Sequence, residues 1–154
     1  MRAFLIRHMT RTNRQSGSTG GSRLWLTEAM DSHPTPTASD LVERTILVVG
    51  AASGVGRATA EVFLNAGARV ILAARRPERC KDLEALAPAG QVRLLPLDLT
   101  DPGTFEGARE ALAGASQPVI VMTAGLLRAG ALEELDENEL RTVIETNLTG
   151  PLAL

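Results

Sequence analysis

Thr45-Ile46-Leu47-Val48-Val49-Gly50-Ala51-Ala52-Ser53-Gly54-Val55-Gly56 reads as an apolar strand running directly into a glycine-rich turn. An unbroken apolar run of this length fits a strand covered on both faces, as in a parallel sheet. Beyond the turn, Val55, Ala58, Thr59, Val62, Phe63 and Ala66 recur at helical spacing, which predicts a helix with that face inward. Gly67 suits the left-handed position that closes such a helix. Between strand and helix, glycines let the backbone approach a ligand closely. The free N–H groups of the helix start, aided by the helix dipole, form a site for an anion such as a pyrophosphate. Ser53 adds a hydroxyl donor beside them. A strand–turn–helix can also use glycines for close packing alone, but the strand before this loop and the helix after it supply the context that anion binding requires. The spacing is not G-x-G-x-x-G, and no Lys-Ser/Thr follows, so the loop is a poor match to a P-loop NTPase.

Working outward, short apolar runs alternate with amphipathic stretches, the pattern of βα units and a parallel sheet. Further strands are expected at Arg69–Ala74, Val92–Leu97 and Val119–Thr123. Pro77 opens a second helix at a position where its missing N–H costs nothing, with Cys80, Leu83 and Leu86 as the inner stripe. Asp101 caps a third helix begun by Pro102, with Phe105, Ala108 and Leu112 inward. A last helix starts near Asp136, with Glu139 placed as in a capping box. Its apolar face is Leu140, Val143, Ile144 and Leu148, Asn147 falls on the same face, and Gly150-Pro151 end it. The expected fold is a Rossmann-type, doubly wound α/β sheet of about four strands, in the order 3-2-1-4. The fourth strand is then an edge although Val119-Ile120-Val121-Met122 is apolar on both faces. An isolated chain of these 154 residues is therefore expected to be poorly soluble, molten or oligomeric.

Residues 1–44 read differently. Arg2, Arg7, Arg11, Arg14 and Arg23 precede the first acid, Glu28, and Ser16–Ser22 is Gly/Ser/Thr. This segment has too little apolar surface to offset chain entropy and is expected to be a disordered extension, with residues 45–154 as the folded domain. It reads either as a non-functional extension, with Met30 as the natural start, or as an Arg-rich transit peptide; Ala3–Ile6 is too short for a secretory signal.

A net charge of −2 and no basic stripe within the ordered region give no electrostatic case for nucleic acid. No apolar run approaches a bilayer span, so no membrane association is expected. One cysteine, Cys80, excludes an internal disulfide framework, fits a reducing, cytoplasmic setting and reads as a buried small hydrophobe. The two histidines, His8 and His33, both lie in the extension, so His-based metal sites and serine-hydrolase triads lack their parts. The chain has no tyrosine, and its only lysine is Lys81.

Gly50-Ala51-Ala52-Ser53-Gly54-Val55-Gly56-Arg57, with its Gly-x-x-x-Gly-x-Gly spacing, resembles the cofactor loop of short-chain dehydrogenase/reductases. Three more segments resemble that family's in the same order. Leu97-Asp98-Leu99-Thr100 is similar to the segment whose Asp side chain and next backbone N–H contact the adenine ring. Thr123-Ala124-Gly125 is similar to the end of the family's Asn-Asn-Ala-Gly motif, and Asn147-Leu148-Thr149-Gly150 to the helix segment with its catalytic asparagine. The resemblance spans residues 45–154. It implies a cofactor site formed by Gly50, Ala52, Ser53, Gly54, Val55, Gly56, Asp98, Leu99, Thr123, Ala124 and Gly125, and a role for Asn147 in holding a water of the proton relay. From the residues alone, Asn147 can equally be satisfied by neighbouring backbone. Nucleotide-sugar epimerases of the extended type show a differently spaced glycine loop.

The nucleotide choice is read where the second strand ends, about 20 residues beyond the glycine loop, where an acid would bind the ribose hydroxyls of NAD. Ala73-Ala74-Arg75-Arg76 stands there, with no acid before Glu78. Arg75 and Arg76 can grip a 2′-phosphate, or they can be ordinary solvated residues; the missing acid favours NADP over NAD. The family's Asn-Asn pair corresponds to Met122 and Thr123; Thr123 can still offer a hydroxyl, but Met122 cannot replace an amide. The family's Ser and Tyr-x-x-x-Lys would follow later in the chain. The resemblance thus implies the cofactor half of an oxidoreductase acting on a small-molecule alcohol or carbonyl and homo-oligomeric when complete, with these 154 residues alone inactive. A dinucleotide-binding or regulatory module without turnover, or an inactive gene fragment, is the alternative.

Overall fold

The structure, a computed structural model, describes residues 40–154 except 43, 116 and 135 and the side chain of residue 132; the expectations for residues 1–39 lie outside the described residues. Four parallel strands form one sheet: β1 (Thr45–Val49), β2 (Arg69–Ala74), β3 (Val92–Pro96) and β4 (Val119–Met122). Their order is β3-β2-β1-β4, as the βα alternation predicts. Residues 46 and 48 of β1 pair with 70 and 72 of β2 and with 119 and 121 of β4, so the side-chain alternation is in phase across the sheet.

That alternation builds two cores. On one face, Ile46, Val48, Val70 and Leu72 pack with Ala60 and Leu64 of helix α1 (Gly54–Asn65) and with Cys80 and Leu83 of a 3-10 helix (Pro77–Leu86). On the other, Leu47, Val49, Ile71, Ala73 and Leu95 pack with Phe105 and with Ala108 of α2 (Glu106–Leu112). Cys80 is buried, and burial pushes its thiol pKa up, consistent with a small hydrophobe rather than a reactive thiol. Asp101 caps as expected, its Oδ1 accepting from Gly103 N–H at 2.9 Å, but Pro102–Thr104 forms a 3-10 turn before α2 begins.

Several expectations need correction. The inner face of α1 is Gly56, Ala60 and Leu64, whereas Val55 and Val62 are 74% and 63% exposed and Ala58 is also exposed. Small residues let α1 lie close to the sheet, and that close approach sets which face turns inward. Gly67, with φ +83°, ends α1 as expected: its N–H donates to Leu64 O and that of Ala68 to Phe63 O, a Schellman closure. Leu86 is exposed, because the 3-10 helix ends there and Ala87 turns to extended backbone.

The last helix, α3 (Glu137–Ile144), does not stop at Gly150-Pro151. It passes through a π-helical segment (Glu145–Thr149) into a final turn, α4 (Gly150–Ala153). Pro151 sits in the first turn of α4, where no N–H is required. Asp136 caps α3, accepting from the N–H groups of Asn138 and Glu139, but the Glu139 carboxylate pairs with Arg128 at 3.5 Å instead of completing a capping box. Ile144 and Leu148 are exposed rather than inward, and Asn147 is not on a buried face.

The outer edge of β4 has no strand partner among the described residues, and its Ile120 and Met122 are 49% and 37% exposed. The 154-residue chain alone is therefore expected to sediment as oligomers. Replacing both residues by lysine should raise the monomer fraction. A wild-type chain that sediments as a monomer and unfolds cooperatively would contradict this.

Candidate nucleotide-binding site

The sheet's strand order reverses between β1 and β4, and a cleft opens at their carboxyl ends, where open α/β sheets bind ligands. The cleft has a volume of about 440 Å³. Its floor is the turn from β1 to α1. Gly50 N–H and Ala51 N–H both donate to Ala73 O of β2, at 2.9 and 3.2 Å, and Gly50 takes φ +95°. Ser53 stands in the N-cap position with an extended backbone, yet its hydroxyl makes no cap bond, so it remains available to a ligand. The first intrahelical acceptor is Ser53 O, bonded by Arg57 N–H at 3.2 Å. Among the described residues, the N–H groups of Gly54, Val55 and Gly56 have no backbone acceptor, and all three residues line the cleft.

Two glycines of the loop are required by space. A Cβ on Gly50 would stand 2.7 Å from Ala124 N, and one on Gly56 would collide with the Gly50 carbonyl and the Thr123 hydroxyl. Gly54, at φ +55°, has open space around it, so there glycine serves the backbone conformation alone.

The second wall comes from the end of β4. Thr123 N–H, Ala124 N–H and the Thr123 hydroxyl all donate to Val49 O, at 2.9, 3.0 and 2.7 Å. The Thr123 hydroxyl thus ties β4 to β1 at the position where the sequence offers no asparagine, and Met122 takes no part. Gly125 and Leu126 continue this wall. The Asn147 carboxamide closes a two-bond ring with Leu126, accepting from its N–H at 2.8 Å and donating to its carbonyl at 2.7 Å. Asn147 is satisfied by backbone in this way, and it does not itself line the cleft.

On the opposite side lie Asp98 and Leu99. The Asp98 Oδ1 accepts from Thr100 N–H and its hydroxyl, at 3.0 and 2.8 Å, while Oδ2 has no partner among the described residues. Thr104 holds the Asp98 backbone, its Oγ1 accepting from Asp98 N–H at 3.0 Å. Exposed Arg75 and Arg76, at the end of β2, complete the rim. All thirteen residues expected at the cofactor site line this one cleft. Sequence reasoning missed Arg79, Thr142 and Thr146, which also line it. Arg79 lies three residues beyond Arg76, a spacing readable only once a 3-10 helix is assumed; no sequence signal pointed to the threonines.

The fold is a Rossmann-like α/β sheet with its cleft at the switch point. Within that class, the family model described as short chain dehydrogenase matches residues 44–154, and the chain belongs to that family. It is 34% identical over 119 residues to "Dehydrogenase/reductase SDR family member 7B" of Bos taurus, covering 71% of this chain and 37% of that protein. It is 39% identical over 113 residues to "Serine 3-dehydrogenase" of Agrobacterium fabrum, covering 70% and 44%. Among solved structures, a short-chain dehydrogenase from Streptomyces avermitilis matches with TM-score 0.67 and 41% identity, covering 72% of this chain and 41% of that one. The chain spans less than half the length of these relatives. Among the described residues, no helix is long and apolar enough to cross a membrane.

The two kinds of glycine should respond differently to a methyl group. Gly54→Ala is expected to destabilise by about 1 kcal/mol, the left-handed Cβ penalty. Gly56→Ala should cost about 3 kcal/mol, because backbone must move. Thermal melts compare them; equal shifts would overturn the steric reading.

Proposed function

We propose that this domain holds NADP(H), in preference to NAD(H), for a protein that moves a hydride between the nicotinamide and a small alcohol or carbonyl. One observation carries the nucleotide reading: Gly54, Val55 and Gly56, whose N–H groups have no acceptor among the described residues, line the same cleft as the guanidinium-bearing Arg75 and Arg76. The residues fit the group. Helix-start N–H groups with the Ser53 hydroxyl would hold the pyrophosphate. The free Asp98 Oδ2 and the Leu99 N–H would meet the adenine edge, and Thr123, Ala124 and Gly125 would bear on the nicotinamide half. The Arg75 and Arg76 forks would grip a 2′-phosphate, where an acid for the ribose hydroxyls of NAD is missing. When bound, the nicotinamide supplies the hydride chemistry.

What the chain's own residues do is bind and orient. Asn147, by fixing Leu126, sets the wall beside the reacting end; in the family role it would also hold a water of a proton relay. A homo-oligomer in a reducing, cytoplasmic setting fits the exposed Ile144 and Leu148 on the last helix and the single buried cysteine. A second reading, a nucleotide-binding module without turnover, draws on the absence of tyrosine from these 154 residues. Phenolic proton transfer would need residues outside them.

Calorimetric titration tests the nucleotide preference. NADP⁺ is expected to bind at least about tenfold more tightly than NAD⁺, and Arg75→Ala should narrow that ratio. Equal or tighter NAD⁺ binding would contradict the preference. Binding by the 154-residue chain without turnover would favour the module over an inactive fragment.

A further inference from the structure

The 3-10 helix Pro77–Leu86 arranges a row of side chains that the nucleotide reading leaves unused. With three residues per turn, side chains three apart eclipse one another. Arg79 and Asp82 therefore share one line along this segment, beside the buried line of Cys80 and Leu83. Arg76 caps the segment, its carbonyl accepting from Arg79 N–H at 3.2 Å, which sets Arg79 one turn beyond it. Both arginines, with Arg75, line the cleft.

On such a row Asp82 is the natural partner of Arg79, and their pairing would neutralise the guanidinium. In the structure Asp82 is already engaged. Arg57 of α1 reaches across and donates to both carboxylate oxygens, Nη1 to Oδ1 at 3.2 Å and Nη2 to Oδ2. This fork holds the Asp82 carboxyl below its usual range and raises the Arg57 guanidinium. Arg57 Nη1 also donates to the Arg79 carbonyl at 3.4 Å, and Arg57 Nε pairs with Glu61 at 3.2 Å. Among the described residues, no carboxylate pairs with Arg75, Arg76 or Arg79.

We propose that Arg79 is a third binding residue for the nucleotide 2′-phosphate, and that Arg57 is a positioning residue that keeps Arg79 available by occupying Asp82. The inference rests on the NADP reading above. A phosphate monoester offers three outer oxygens, enough for more than one guanidinium fork. Arg75 and Arg76 present theirs from the end of β2, and Arg79 from one turn further on.

The test is the ratio of NADP⁺ to NAD⁺ affinity, measured by calorimetric titration of the wild-type protein and its variants. Arg79→Gln is expected to lower the ratio about tenfold, with Arg79→Lys recovering part of it. Arg57→Gln should lower the same ratio about threefold or more by releasing Asp82 onto Arg79. The double variant Arg57→Gln/Asp82→Asn should bring it back to within about twofold of wild type. A merely structural role for Arg57 would weaken both nucleotides together and would not be rescued by removing the second charge. If the wild-type protein shows no preference for NADP⁺, the nucleotide reading and this inference fall together. If it prefers NADP⁺ and Arg79→Gln keeps the ratio, the assignment of Arg79 alone is overturned. A double variant no better than Arg57→Gln overturns the positioning role.

Discussion

Three donors converge on the carbonyl oxygen of Val49, the last residue of β1: the N–H groups of Thr123 and Ala124 and the Thr123 hydroxyl. A carbonyl oxygen with two lone pairs accepts them only as a shared, multi-centred arrangement. On the neighbouring strand, Ala73, the register partner of Val49, receives both Gly50 N–H and Ala51 N–H at its carbonyl oxygen. These two carbonyls hold the turn after β1 from either side, one through β4 and one through β2. The cleft exists because the chain is gripped at this point and then released into α1.

The close packing that follows leaves little freedom. Gly56 must be glycine because Gly50 O and the Thr123 hydroxyl occupy the space of its Cβ, and that closeness is what points the start of α1 at the cleft. Gly150 plays a similar part at the other end, where a Cβ would meet Leu99 O. The last helical segment can therefore approach the loop that carries Asp98. Arg109 reinforces that approach by donating to Ala153 O at 3.0 Å. The π-helical widening at Glu145–Thr149 lets the helix absorb Pro151 without ending, and it carries Asn147 to Leu126.

The sheet was legible in the sequence because each strand is a short apolar run bounded by turn residues, and each observed strand starts where that pattern starts. Strand order followed from the βα alternation and the glycine loop. The cleft residues were legible because they cluster in four short segments at strand ends. Helix faces were less legible. The hydrophobic count favoured Val55 and Val62, but close approach of α1 to the sheet selects Gly56 and Ala60, whose small size carries no hydrophobic signal. The continuation past Pro151 was hidden because proline is also the residue that stops helices. Thr142 and Thr146 enter the cleft by way of the last helix's position, which no local pattern encodes.

On the reading proposed above, an anion, the pyrophosphate of a nicotinamide nucleotide, sits on the free N–H groups at the start of α1. Hydrogen–deuterium exchange of the protein with and without NADP⁺ tests it directly, because those amides have no acceptor of their own in the described structure. Bound NADP⁺ is expected to slow exchange in the peptide covering residues 50–57. Binding that leaves this peptide unchanged while protecting residues elsewhere would contradict it.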